Sequence, residues 1–163
     1  MRSVIAVYVE NKYGVLTRVS SMFMRKGFNI DSLTVGETDD PHYSRITITL
    51  NGDDYAREQL ILQLKKLYNV KQVKLLQPDG TVERELMLLK VRNTPENRSE
   101  IMAAVEIYRA KIIDYTTDAM CIEVTGEPSK IKAFIEVMKP LGIIEMCRTG
   151  VVSLERGSSI MEK

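Results

Sequence analysis

The sequence predicts an α+β protein made of two consecutive βαββαβ units, each an antiparallel sheet with two helices on one face. Three observations carry that prediction. The nearly continuous apolar run Ser3 to Glu10 meets a glycine turn and then an amphipathic helical pattern, as a buried strand feeding a helix does. Apolar spacing then switches between the strand period of two and the helical period of 3.6, in the order strand, helix, strand, strand, helix, strand. After the turn cluster Pro78-Asp79-Gly80-Thr81 the same order begins again. The halves share element order and length but few residues, so the repeat is one of architecture.

In the first half, Val15, Val19, Met22 and Phe23 recur at helical spacing and Gly27 suits the helix C-cap. Asn29 to Glu37 reads as a second strand and Asp39-Asp40-Pro41 as a turn. Arg45 to Leu50 alternates, which implies a strand with one wet or partner-facing side. Asp53 is placed to cap a helix bearing Leu60, Leu64 and Leu67, which Asn69 ends, and Val70 to Gln77 is the fourth strand. In the second half, Glu85 to Arg92 is a strand, and Thr94-Pro95 reads as an N-cap with proline at the first helical position. Ile101, Val105 and Tyr108 form the inner face of that helix. Lys111 to Thr116 and Ala119 to Thr125 are strands. Pro128 opens a helix with Ile131, Phe134, Ile135 and Met138 inward, and Ile143 to Leu154 supplies the last strand. The expected division is 1–77, a linker at 78–83, and 84–163. Each half is a split βαβ sandwich of the ferredoxin-like kind. Such a sheet leaves one face open, and each half is small. A homodimer pairing sheet edges or helices is therefore expected.

The composition of the 163 residues is ordinary for a globular protein, with 44% hydrophobic and 28% charged residues. A formal net charge of +1 gives no bulk electrostatic case for nucleic acid or an anionic membrane. No stretch approaches the ~20 apolar residues of a membrane span. Met1-Arg2-Ser3-Val4 enters a strand pattern directly, unlike a signal peptide, so a cytoplasmic location is expected. Cys121 and Cys147 form no CxxC. Two buried, reduced thiols is the ordinary reading, and a disulfide is the alternative.

The candidate site lies at the first glycine turn. Gly14 sits where strand becomes helix, so backbone N–H groups at the helix N-terminus can meet a small anion, helped by the helix dipole. A plain turn glycine is the competing reading. Val15 and Leu16 add N–H groups there and could line an aliphatic pocket, or simply pack the core. Asn11 and Asn29 are expected to flank the turn, where an amide can pair with an ammonium or a carboxylate without adding net charge. A local turn bond is the alternative for each. Ile30 belongs to the core and could touch an aliphatic ligand, and Thr34 lies further along the strand. His42, in a turn, has no partner arrangement that would make it a base or metal ligand. Arg148-Thr149-Gly150 serves a turn or a protein contact. The nine Met residues mostly fall on inward helix faces.

Other occupants of this layout are disfavoured. An acyl-phosphate hydrolase needs an anion-binding Arg in the first loop, where this chain offers Lys12. An RNA-binding module wants stacking aromatics on the central strands, where Arg45, Thr47 and Thr49 stand. A metal carrier wants a CxxC in its first loop.

One series of motifs runs Asn11-Lys12-Tyr13-Gly14-Val15-Leu16, Arg18-Val19 and Phe23, then Gly27-Phe28-Asn29-Ile30-Asp31-Ser32-Leu33-Thr34-Val35. It continues through Thr38-Asp39-Asp40-Pro41, Ser44-Arg45, Glu83-Arg84-Glu85-Leu86-Met87-Leu88 and Arg148-Thr149-Gly150-Val151-Val152. In these residues the chain resembles the regulatory (small) subunits of acetolactate synthase, with an N-terminal ACT domain. General ACT modules often carry an acidic residue and a proline where this chain has Asn11 and Tyr13, and Asn is usual in the small-subunit branch. The resemblance implies a non-catalytic regulator. Such a regulator activates a catalytic large subunit carrying thiamine diphosphate, magnesium and flavin, with no cofactor on the regulator itself. It also implies feedback inhibition by a branched-chain amino acid, usually valine. The site it implies comprises Asn11, Gly14, Val15, Leu16, Asn29, Ile30 and Thr34, between two ACT domains. A stand-alone ACT-type amino-acid-binding regulator of another enzyme is the alternative.

Overall fold

The computed structural model describes residues 1–161. They divide into two compact units, Met1–Val82 with the chain from Val151 onward, and Glu83–Gly150. The last strand region therefore returns to the first unit, where a single second half over 84–163 was expected.

In the first unit the order is β1 (Arg2–Glu10), α1 (Val15–Arg25), β2 (Ile30–Glu37), β3 (Tyr43–Asn51), α2 (Asp54–Leu64) and β4 (Val70–Leu76). The strands form one antiparallel sheet in the order β2-β3-β1-β4. Helix α1 buries Val15, Val19, Met22 and Phe23, as its spacing predicts. It ends in a Schellman turn, with Gly27 at φ 72°. The Phe28 N–H bonds the Phe23 carbonyl at 3.1 Å and the Gly27 N–H bonds that of Met24 at 3.1 Å. The Asp53 carboxylate caps α2 by accepting from the Ala56 N–H at 2.7 Å. Ile5, Val7 and Val9 of β1 pack with these helices, each side chain contributing about 1.5–3 kcal/mol by burial.

The other sheet face is also covered. After Gly150, at φ 84°, the chain runs as β9 (Val152–Glu155) across that face. β9 pairs with β5 (Thr81–Arg92), and the next residue, Arg156, donates its N–H to the Gly80 carbonyl just before β5 at 2.8 Å. Val4, Ala6 and Leu76 gather on this side with Met161. The side of β3 expected to be wet or partner-facing is thus covered by the protein's own chain, and Thr47 and Thr49 are buried. The expected linker at 78–83 is a short 3-10 turn, Pro78–Gly80, followed directly by β5.

The second unit contains the rest of β5, α3 (Arg98–Ile107), β6 (Lys111–Tyr115), β7 (Ala119–Gly126), α4 (Pro128–Met138) and β8 (Ile143–Arg148). Its sheet order is β6-β7-β5-β8, the same ferredoxin-like arrangement. Its core joins Met87, Leu89, Met120 and Ile122 to Ile101, Phe134 and Met138, and Tyr108 meets the Phe134 ring edge-on at 5.3 Å. Helix α3 starts at Arg98, later than Thr94-Pro95 suggests. Thr94 and Asn97 bond each other reciprocally, at 2.9 and 3.3 Å, so the chain turns once more before the helix. The strand expected over Ile143 to Leu154 is interrupted after Arg148, because Thr149 and Gly150 turn the chain out of the unit. Cys147 is exposed and Cys121 is partly buried, contrary to the expectation of two buried thiols, and both are free.

The Arg148-Thr149-Gly150 stretch has a structural part to play. The Arg148 Nη2 donates to the Glu85 Oε2 at 3.0 Å, and its Nε pairs with the Glu85 Oε1. The Thr149 N–H donates to the Leu86 carbonyl at 3.0 Å. The Glu85 side chain is 2% exposed and that of Arg148 is 42% exposed. The hydrogen bond to this carboxylate raises the guanidinium pKa above its ordinary value. Removing the cation strands a buried carboxylate, whereas removing the carboxylate leaves an arginine that can turn to water. Arg148→Met is expected to destabilise by about 3–5 kcal/mol. Glu85→Gln should cost about 1–3 kcal/mol. Urea melts of the two variants check the inequality, and equal losses would show that the pair is not buried asymmetrically.

Candidate functional site: the turn into the first helix

Gly14 caps α1 with φ 79°, in the left-handed region that glycine enters without strain. No side chain caps this helix, and no acidic residue lies in its first turn. An added Cβ at Gly14 would meet nothing within 4 Å, so the backbone here is open to the outside. Any penalty for a side chain at Gly14 is therefore conformational, about 1–2 kcal/mol, and not one of space. Val15 is buried in the core, while Leu16 is 43% exposed beside it. The Val15 N–H makes only a long bond to the Lys12 carbonyl, 3.4 Å.

The Asn11 backbone N–H donates to the His42 carbonyl at 2.7 Å. Its amide donates to Glu37 Oε1 at 3.1 Å and to the Pro41 carbonyl at 3.0 Å. Through its amide nitrogen, Asn11 thus joins the end of β1 to the end of β2. The Gly14 turn presents open helix N–H groups, and Asn11 just before it is tied to the Glu37 carboxylate. His42, exposed, faces the Asp40 Oδ1 at 2.7 Å. Among the described residues no group of three or more His, Cys, Asp or Glu could hold a metal ion.

A polar cluster not singled out in the sequence supports the turn. Glu10 receives Lys71 at 2.8 Å, Lys12 at 2.9 Å and the Asn69 amide at 2.8 Å. Asn69 in turn accepts from the Arg18 Nη1 at 2.6 Å. Two cations thus meet the Glu10 carboxylate, and a third, Arg18, is tied to it through Asn69, so near the start of α1 three cations stand against one carboxylate, which biases the turn toward an anion. Lys71 and Asn69 come from the far side of α2, so no local spacing announces them. Hydrogen bonds from Lys71, Lys12 and Asn69 lower the Glu10 pKa from 4.5 to about 2.

The remaining candidates lie elsewhere. Asn29 is exposed at the start of β2, where Ile30 pairs with Leu50 and packs against the core. Glu37, which holds Asn11, is at the opposite end of that strand, ~23 Å away at strand rise. Helix α1, 11 residues and ~17 Å long, separates the two turns. Asn11, Gly14, Val15 and Leu16 thus form one group, and Asn29 and Ile30 another, so the expectation that both asparagines flank one turn does not hold within a chain. Thr34 belongs to neither group. Its hydroxyl faces the covered side and donates to the Val151 carbonyl at 2.6 Å.

Comparison with known proteins agrees with the fold. Residues 5–72 match the model of the AHAS small subunit-like ACT domain, and residues 84–157 match that of the small subunit of acetolactate synthase. The chain belongs to the acetolactate synthase small-subunit family. A probable acetolactate synthase small subunit of Archaeoglobus fulgidus is 49% identical over 158 residues, spanning 97% of this chain and 99% of that protein. The acetolactate synthase small subunit of Mycolicibacterium smegmatis is 46% identical over 153 residues, 94% of this chain and 90% of its own length. The crystal structure of the Thermotoga maritima small subunit superposes with a TM-score of 0.89 at 41% identity, covering 98% of this chain and 99% of that one. The first unit is thus an ACT domain of this small-subunit type. No helix among the described residues is long and apolar enough to cross a membrane.

The Glu10 cluster gives the ACT turn an acid limit. Because the folded pKa is depressed, Glu10 contributes stability that is present above its ordinary value of 4.5 and is lost as pH falls toward about 2. A carboxyl titration followed by NMR should place the Glu10 midpoint near 2. Glu10→Gln should flatten the urea midpoint between pH 4.5 and 2 relative to wild type. An unshifted midpoint would show the cluster to be open in solution.

Proposed function

We propose that this chain is the regulatory subunit of an acetolactate synthase. In this reading it binds and activates the catalytic large subunit and makes it subject to feedback inhibition by a branched-chain amino acid, valine in the usual case of the family. The thiamine diphosphate, magnesium and flavin chemistry belongs to the partner. The observation that carries the effector reading is the separation of the two site groups along α1 and β2. A single chain cannot bring Asn11 and Gly14 to Asn29. A two-fold dimer with β2 edges or α1 faces antiparallel would bring the Gly14 turn of one chain to the Asn29 turn of the other, twice.

Two features support that dimer. β2 is an edge strand, paired only with β3, and has neither proline nor lysine to blunt it. Leu16 and Met24 on α1 and Val35 on β2 are exposed apolar residues on the two elements that this pairing would use. In the paired form, the α1 N-terminus and its cations would receive the ligand carboxylate. Asn11 and Asn29 would hold its polar groups from opposite chains, and Leu16 and Ile30 would meet its side chain. The ligand would then inhibit by favouring one placement of the two ACT domains over another, with a coupling of about 1–3 kcal/mol. The stand-alone regulator is less well supported, because the second unit also matches the small-subunit family over residues 84–157.

Mixed dimers test the shared site. Asn11→Ala and Asn29→Ala homodimers should each lose valine binding by calorimetry. Co-refolded in equal amounts, they should recover about a quarter of the wild-type sites, because every heterodimer keeps one intact site. No recovery would place both asparagines in one chain's site or outside it. Gly14→Asp sets a carboxylate at the helix N-terminus and should abolish valine binding, with a folding cost of about 1–2 kcal/mol.

A further inference from the structure

The C-terminal segment crosses the ACT sheet from edge to edge. Thr34 on β2, Thr47 on β3, Ala6 on β1 and Lys74 on β4 are register partners, so they form one row on the covered face. Over that face the Thr34 hydroxyl donates to the Val151 carbonyl at 2.6 Å. Two residues later the Arg45 Nη2 on β3 donates to the Ser153 carbonyl at 2.7 Å. Two residues after that, Glu155 pairs with the Lys74 Nζ at 2.6 Å. Four residues of extended chain span ~13 Å, close to the ~14 Å across four strands. Val151 and Ser153 are buried, whereas Val152 and Leu154 point outward, as a strand lying on a surface requires. The strap leaves Gly150 directly, and Gly150 is the last residue of the second unit. Arg45 Nε on β3 and Ser153 Oγ on the strap are buried without hydrogen-bond partners among the described residues. The attached position therefore leaves polar capacity unused, which lifting the strap would return to water.

We propose that Val151–Glu155 is a coupling strap, by which a change at the β2 edge of the ACT domain reaches the second unit through the Thr34, Arg45 and Lys74 anchors. Thr34 is then a positioning residue and makes no contact with the effector. β2 is the strand that carries Asn29 and Ile30 at one end and the Glu37 partner of Asn11 at the other. A shift of β2 moves the Thr34 anchor relative to the Lys74 anchor on the opposite edge. The strap must then slide against its strand partner β5 or release from the sheet face, and with it the chain at Gly150. This inference rests on the valine-site reading above.

Thr34→Val removes the hydroxyl at nearly constant volume and tests it, with Thr34→Ser as the rescue. Valine should change amide exchange at residues 151–155 of the wild-type chain by at least about fivefold, the lower end of ordinary allosteric coupling. In Thr34→Val the valine Kd should stay within about threefold, a change too small for a lost ligand contact. The exchange response, and the inhibition of the enzyme reconstituted with its catalytic subunit, should fall, and Thr34→Ser should restore both. Lys74→Met, on the far edge, should give the same signature. A tenfold or greater loss of valine affinity in Thr34→Val would make Thr34 a ligand contact and overturn the proposal. So would full inhibition in both anchor variants. Valine binding with an unmoved strap sinks the strap alone, whereas no valine binding to wild type sinks the effector reading and the strap with it.

Discussion

Strand β1 has to be dry on both sides. Ser3 through Val9 are all buried, with Ile5, Val7 and Val9 toward the two helices and Val4 and Ala6 toward the opposite face. A four-stranded sheet with helices on one face cannot provide that, because its other face is open. The chain meets the requirement by returning its C-terminal segment to the first unit after building the second. The location of β9, the Gly150 turn that releases it and the polar anchors across the sheet all follow from the need to cover that face.

The same return joins the units at two points in the sequence, once within β5 and once at Gly150. The second unit secures its end of the return with the buried Glu85 carboxylate on Arg148 and with Thr149 on Leu86. The first unit secures its end with hydroxyl, guanidinium and ammonium groups on alternate strap residues. These contacts are polar, and Arg45 Nε and Ser153 Oγ go unpaired among the described residues. An apolar seam of similar area would hold more firmly, since unpaired buried polar groups cost about 1–3 kcal/mol each. A strap held this way is well placed to have two positions.

The Gly14 turn shows a different economy. Its backbone is open because glycine removes the side chain and because no cap or acidic residue fills the helix N-terminus. Its charge comes from Lys12, Arg18 and Lys71, gathered around Glu10 and Asn69 from three elements. Within one chain, the second group of expected ligand contacts stands at the other end of β2. The proposed dimer is therefore a requirement of the site as well as of the edge strand.

Much of this was legible in the sequence. Periodicity and turn residues placed the four-strand units, the Asp53 cap, the Gly27 helix end and the core faces of all four helices, because these depend on local spacing and backbone preference. The Gly14 turn was legible for the same reason, since a glycine between a buried strand and an amphipathic helix has few conformations open to it. The continuous apolar run of β1 even signalled burial on two faces. The sequence could not say what covers the second face. Thr34 meets Val151, Arg45 meets Ser153 and Lys74 meets Glu155 across sequence separations far beyond any helical or strand period. Such pairings arise only when the sheet register brings distant residues into one row. For the same reason Asn11 and Asn29 look like neighbours of one turn in the sequence, while the length of α1 sets them apart in the fold.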